Sequence, residues 1–484
     1  MKDFFQIRHV FVIVLALGLF TMAARNATDP DMWWHLRTGQ LIAQNHRIFH
    51  ADPYSFTKFG QPWVNHEWLS DVLMFACYRI TGWGGLIVSF GIIVAAAYLL
   101  MFWRCPGRPY IAGIMTLWGA FASAPSWGVR PQMFSFLLAS AFVLILERSY
   151  QHAKLLWWTP PLTLIWVNLH AGYALGITLL ILFLVGDTLD SSLGFADWPR
   201  PAKRARILLA VSAMSIAVVP LNPYGFRMYA YPLETLHSAA MQNYISEWAS
   251  PNFHMHRNLP MLVMLLATIL LLALSPQRLR VRELLMLLVM TFAALLSVRH
   301  IPIYVLVAVP ILSRLAYACL QNGGWAERFE RGSPLSSAKA TLHATLLAGL
   351  LILSVARVHS VIANQSRVEA QKFPEGAASF LSAHHLAGQM LNHYNWGGYF
   401  IWKLYPENPV YIDGRADLYG DAFMDQFAST YYLQSRSWDD PIRKWDIWTV
   451  VVPLDAPMVS ALRSRSDWKQ IYGDAQAVIL TRSP

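Results

Sequence analysis

Asp29-Pro30-Asp31-Met32-Trp33-Trp34-His35-Leu36-Arg37 follows directly on the first apolar stretch of the chain, about Val10 to Ala24. Two carboxylates, two tryptophans, a histidine and an arginine thus stand where a membrane helix leaves the bilayer. Ionisable groups at that depth are costly and mark sites. Part of the motif has a purely structural reading: Asp29 before Pro30 makes a good N-cap with proline at N1, and Asp31 then suits the helix dipole. The tryptophans suit either an interfacial aromatic belt or stacking on a sugar or lipid. Capping does not explain Trp33, Trp34, His35 and Arg37 together.

Working outward, the 484 residues are 55% hydrophobic and only 14% charged, with mean hydropathy +0.36. A soluble globular domain is nearer to about 25% charged. Apolar stretches fall near 9–24, 84–103, 110–125, 132–147, 155–169, 172–187, 207–221, 259–275, 284–298, 301–319 and 340–358. They read as about eleven spans of a polytopic α-helical membrane protein. The first, led by Lys2 and Arg8, reads as an uncleaved anchor, because the Asp29 motif follows too closely to leave a natural mature start. Cys77, Cys105 and Cys319 are scattered without metal-like spacing.

The net charge of +10 sorts by topology. Alternate loops are basic: Lys2/Arg8, Arg104/Arg108, Arg148/Lys154, Arg200/Lys203/Arg204/Arg206, Arg278/Arg280/Arg282 and Arg328/Arg331/Lys339. The positive-inside rule makes these cytoplasmic, with the N-terminus inside and the tail beyond 358 outside. The expected location is the inner (cytoplasmic) membrane, with the tail periplasmic or extracellular. The basic balance is therefore no nucleic-acid footprint, and no nucleic-acid partner is expected.

The opposite loops are short on lysine and hold isolated polar groups. These are the large first outer loop (25–83), Arg130-Pro131-Gln132, Asn168-Leu169-His170, Asn222-Pro223-Tyr224-Gly225 through Glu247-Trp248 to His256, and Arg299-His300. Their convergence on one face predicts one composite site at the outer boundary. Asp29 and Asp31 are the candidates for a general base, or, with Glu67, for a metal pair. His35, Arg37, His66, Glu67, Arg130, Asn168, His170, Glu247, Arg299 and His300 are the candidate substrate-binding residues. Arginine forks and histidines suit a lipid phosphate or pyrophosphate. Asn65 is expected to cap an amphipathic interfacial helix running to about Tyr78.

The tail, 359–484, changes character. Pro374 to His384, Asp421 to Leu433 and Ala456 to Arg463 read as helices. Val410-Tyr411-Ile412, Trp448 to Val452 and Ala477 to Leu480 read as short strands, giving a small extracytoplasmic α/β domain. Tyr394-Asn395-Trp396-Gly397-Gly398-Tyr399 and Asp413-Gly414-Arg415-Ala416-Asp417 read either as turn chemistry with a surface ion pair, or as an acceptor-binding or closing element. A phosphate-cradling Walker A loop, a dinucleotide turn, HExxH and a nucleophile elbow are all absent from the sequence.

In order and placement the chain resembles the GT-C superfamily of integral-membrane glycosyltransferases. The acidic Asp29-Pro30-Asp31 with Arg37 is similar to the first-loop motif of oligosaccharyltransferase catalytic subunits. Together with His66-Glu67-Trp68-Leu69, Arg130-Pro131-Gln132, Asn168-Leu169-His170, Asn222-Pro223-Tyr224-Gly225 and Asp413-Gly414-Arg415, it also looks like a family of poorly characterised bacterial membrane proteins of this type. No WWDYG-like string stands in the tail, so transfer to asparagine is not implied.

The resemblance implies transfer of a sugar, with inversion, from a polyprenyl-phosphate-linked donor to an acceptor hydroxyl of a glycan, lipid or protein at the outer face. Asp29 or Asp31 would be the base, and Arg130, His170, Arg299 and His300 would stabilise the departing phosphate. A divalent cation (Mg or Mn) at Asp29, Asp31 and Glu67 stays open. The competing expectation is a transporter or flippase of lipid-linked glycan or lipid, which would need charged groups along a path through the midplane.

Overall fold

A computed structural model describes residues 7–106, 109–192, 202–325, 336–384 and 386–483. Lys2, Arg108, Arg200, Arg328 and Arg331 of the basic loops lie outside these residues. Each of the eleven apolar segments is helical: α1 (Ile7–Ala23), α3 (Trp68–Phe102), α4 (Pro109–Ser123), α5 (Gln132–Arg148), α6 (Thr159–Leu169), α7 (Tyr173–Ser192), α8 (Ala202–Ala217), α11 (Leu259–Leu274), α12 (Val281–Leu296), α13 (Ile301–Asn322) and α14 (Ser337–Ala363). The outer loops add α2 (Met32–Asn45), α9 (Arg227–His237) and α10 (Ala239–Tyr244).

The count of eleven spans does not carry over as it stands. Among the described residues six helical stretches are long and apolar enough to cross a membrane. α6 has 11 residues, roughly 16 Å of helix at the standard rise, which is too short to cross alone. The chain is a multi-pass membrane protein whose apolar helices range from 11 residues in α6 to 35 in α3. The segment expected to be the interfacial helix is the first part of α3, which kinks at Gly82, whose φ of 60° interrupts the helical backbone. The last apolar helix continues to Ala363.

Ion pairs tie the helices together on the basic face. Arg104 pairs with Glu147 at 2.8 Å and Arg314 with Glu283 at 2.6 Å. Arg204 (2.5 Å) and Arg282 (3.4 Å) share Asp187. Several basic residues that mark topology in the sequence thus also join neighbouring helices.

The tail carries a four-stranded sheet in the order β1-β2-β4-β3, with β1 Gln389–Asn392, β2 Ile447–Pro453, β3 Trp468–Gly473 and β4 Ala477–Arg482. β1 runs parallel to β2, with Leu391 opposite Val450, and β2 runs antiparallel to β4, with Val450 opposite Leu480. The predicted helices and two of the three predicted strands are present. Val410-Tyr411-Ile412 is not a sheet strand. Val410 makes a single bridge to Ser55 of the first loop, and Asn392 holds the segment by side chain: its Oδ1 accepts from Tyr411 N–H at 2.8 Å and its Nδ2 donates to Ile412 O at 2.8 Å. The sequence places three consecutive apolar residues there, but an amide side chain takes the backbone hydrogen bonds of Tyr411 and Ile412.

The tail packs onto the first outer loop. Trp33 is fully buried, edge-on to Trp83, Phe373 and Tyr399 at 4.9–5.3 Å between ring centres. It is a core residue and neither a belt residue nor a stacking platform. Burying such a ring is worth about 4–6 kcal/mol of transfer free energy. Gly39 of α2 lets that helix lie against α3, since a Cβ there would fall 2.0 Å from Asp71 O. Arg37 donates to Tyr405 O (2.5 Å), Ile401 O (3.4 Å) and Gln40 (2.9 Å), stitching α2 to the tail.

Candidate active site

The acidic motif is built differently from the capping reading. α2 begins at Met32, and Asp31 occupies the cap position without a side-chain cap bond. Asp29 Oδ1 instead accepts the Asp31 N–H at 3.0 Å. Trp34 Nε1 donates to Asp31 Oδ1 at 3.3 Å. Asn65 does not cap α3 either: Glu67 stands at its cap position.

A single guanidinium sits among the carboxylates. Arg130 Nε is 3.3 Å from Asp29 Oδ2, and its Nη1 makes a close ion pair with Glu247. Burial opposes the charge on Arg130, but Asp29 and Glu247 hold its pKa well above the ordinary value. Glu247 is pulled below its usual range mainly by Arg130, against burial. Among the described residues Asp31 has no direct ion pair. Burial first, and then the Asp29 charge, push its pKa up to about 7.

A second cluster adjoins the first. His35 Nδ1 bonds Asp71 at 2.6 Å, and His35, His66 and His170 each place Nε2 3.4 Å from Glu67. These imidazoles hold Glu67 well below the usual carboxylate range despite burial. Gly172 N–H donates to His170 Nδ1 at 2.8 Å, so the neutral ring carries its proton on Nε2. Burial and the nearby Arg299 hold that ring neutral, with its pKa lowered to about 3. Arg299 Nη2 lies 3.4 Å from His170 Nε2, and the guanidinium stacks 5.2 Å over Trp248. Backbone bonds from Val298 and Arg299 to Ala249 and Glu247, both 3.0 Å, pin the long outer loop against α13.

These groups line one cavity of about 830 Å³. Asp29, Asp31, His35, His66, Glu67, Arg130, His170, Glu247, Arg299 and His300 all face it, as does an apolar wall of Leu175, Val289, Met290 and Ile303. Two candidates do not. Arg37 is spent on tail carbonyls. Asn168 accepts Trp68 Nε1 at 2.8 Å and donates to Leu164 O at 2.9 Å, joining α3 to α6.

The tail forms part of the wall. A Cβ on Gly414 would lie 1.7 Å from Asp31 Oδ1, so the tail backbone presses directly on that carboxylate. Asp413 and Arg415 are no surface ion pair. Both are buried, with Arg415 Nη2 2.7 Å from Asp413 and 2.8 Å from Asp52, and the guanidinium 4.5 Å over Trp63. Asp52, Asp71, Ser135 and Tyr231 are the participants that sequence reasoning missed. Only Asp71, one helical turn after Glu67, left a legible signal.

The three residues considered for a divalent cation do not form a nest for one. Asp29 is paired to Arg130, Glu67 is ringed by imidazoles, and Asp31 is covered by Gly414. Among the described residues no group of three or more His, Cys, Asp or Glu side chains is disposed to hold a metal ion.

The architecture has known counterparts. It is similar to the archaeal oligosaccharyltransferase AglB from Archaeoglobus fulgidus, solved with an inhibitory peptide and a dolichol-phosphate (TM-score 0.56, 9% identity, 92% of this chain and 69% of that one). This chain shares the fold of that structure. A likeness also extends to the mycobacterial arabinofuranosyltransferase AftD (TM-score 0.51, 13% identity), of which it spans 42% while 99% of this chain is covered. No family model and no curated protein matches the sequence. At these identities the GT-C likeness concerns the fold, and the chemistry rests on the cavity.

Proposed function

We propose that this GT-C protein transfers a sugar from a polyprenyl-phosphate-linked donor to an acceptor hydroxyl at the outer membrane face. The observation that carries the reading is that one cavity is lined by Asp31, by Arg299 and His170, and by the apolar Leu175, Val289, Met290 and Ile303. Such a space suits an amphipathic donor, with the isoprenoid along the wall, the phosphate at the cationic groups and the sugar beside the carboxylate. AglB was solved with dolichol-phosphate, a donor carrier of this class.

Asp31 takes the acceptor proton as the hydroxyl oxygen attacks the anomeric carbon. A base with a pKa near the working pH does this best, and burial beside Asp29 supplies that pKa. The bond from the anomeric carbon to the phosphate oxygen breaks, its electron pair leaves with the phosphate, and the configuration inverts. Arg299 and the Nε2–H of His170 meet the charge that grows on the phosphate. Asp29 and Glu247 hold Arg130, whose charge keeps several carboxylates together beside Asp31. In this reading Arg130 supplies the positive charge of the acidic centre, and no step is assigned to a divalent cation. The N-terminus lies in the cytoplasm and the tail outside.

The test is transfer by the full chain in membranes with a panel of polyprenyl-phosphate sugars. Asp31→Asn is expected to lose about 100- to 10,000-fold in kcat, the range of a general base. Full activity in that variant removes the assignment, and no turnover by wild type with any donor removes the function.

A further inference from the structure

The tail and the long outer loop bring Tyr394, Asn395, Asp417 and Tyr231 to the cavity wall. Arg415, two residues before Asp417, pairs with Asp52 and Asp413. Asp417 itself makes no ion pair among the described residues and is exposed to the cavity. Its Oδ2 accepts the Tyr231 hydroxyl at 3.0 Å. The Tyr231 ring lies against His66, 4.3 Å between centres, which fixes its plane.

A carboxylate, phenols, an amide and ring faces suit a neutral polyol. Carboxylate oxygens accept two hydroxyls, and aromatic faces cover the apolar face of a sugar ring. The placement also serves the reaction. Asp417 follows Gly414, the residue pressed on Asp31, by three residues, at most about 10 Å of chain. A ring held at Asp417 therefore brings another of its hydroxyls toward the base.

We propose that Asp417 and Tyr231 form the acceptor subsite, and that the acceptor is an uncharged sugar, free or as the headgroup of a glycolipid, gripped through its hydroxyls. This rests on the glycosyl-transfer reading, so the experiment separates the two. Full-length protein in nanodiscs is titrated with methyl glycosides of mannose, glucose, galactose and arabinose, and with mannose 6-phosphate and glucuronic acid, reading tryptophan fluorescence without any donor.

Saturable quenching by at least one neutral glycoside, weaker binding of both anionic sugars, and a rise in Kd of about tenfold or more in Asp417→Asn and Tyr231→Phe are expected. Where a donor turns over, the ratio of transfer to donor hydrolysis is expected to fall by a similar factor in Asp417→Asn, with acceptor KM raised and donor KM held. Donor turnover with an unchanged acceptor KM in Asp417→Asn, preference for the anionic sugars, or transfer only to a peptide or lipid hydroxyl overturns the subsite. Failure of every donor, with neutral-sugar binding intact and Asp417-dependent, overturns the transfer reading while leaving the sugar site standing.

Discussion

Gly414→Ala is the smallest change that tests the site as a whole. The added Cβ would lie 1.7 Å from Asp31 Oδ1 and 2.9 Å from its Cγ, where real Cβ contacts stay at 3.0 Å or more. The carboxylate must therefore move by more than an ångström, or the tail backbone must lift. Asp31 is a short side chain, so it moves easily, but only by leaving the place from which it takes the proton and by straining its bond to Trp34 Nε1. A misplacement of about 1 Å at a reacting group costs about 100-fold in rate. Gly414 has an ordinary backbone conformation, so alanine there carries no intrinsic penalty and the fold should persist. The assay is kcat for transfer in membranes, with tail protease resistance and the thermal midpoint as controls. A loss of about 100-fold in kcat with both controls unchanged is expected. Wild-type kcat in a folded Gly414→Ala would refute Asp31 as the proton acceptor under the tail.

Three further outcomes follow from the buried charges. Asp31 works as a base only when deprotonated, so kcat/KM should rise with pH through about 7, the value to which burial and Asp29 push it. Asp29→Asn removes the like charge and frees Arg130 toward Asp31, and both effects lower that pKa. The acid limb should move down by about one pH unit, and a limb that stays or moves up contradicts the arrangement. Arg415→Gln leaves Asp52 and Asp413 buried without their shared cation, a loss of about 3–5 kcal/mol. It should show as faster proteolysis of residues 386–483 at the outer face, and unchanged proteolysis would mean the pair does not hold the tail in place.

Much of the architecture is legible in one dimension because its causes are local. A run of apolar residues has to close its own backbone hydrogen bonds in lipid, so it becomes a helix whatever its neighbours are, and all eleven apolar segments do so. Span length is less legible: α6 needs the turns around it to show that it is short. In the tail, β2 and β4 are runs of buried aliphatics and read directly. Val410-Tyr411-Ile412 has the same texture, but Asn392 takes its hydrogen bonds from a distance in sequence.

The site divides along the same line. Chain chemistry alone set which residue types recur together, because lysine and arginine concentrate in alternate loops and the loops between hold carboxylates, histidines and lone arginines. What each does was settled by packing. Arg37 and Asn168 went to structural carbonyls and indoles, and Trp33 went to the core. Arg130 was caged by Asp29 and Glu247, and Gly414 was laid against Asp31 from nearly four hundred residues away in the chain. The pKa of a carboxylate depends on what surrounds it in space. That is why Asp29 and Asp31, indistinguishable as neighbours in the sequence, become a paired anion and a poised base only when the tail is folded over them.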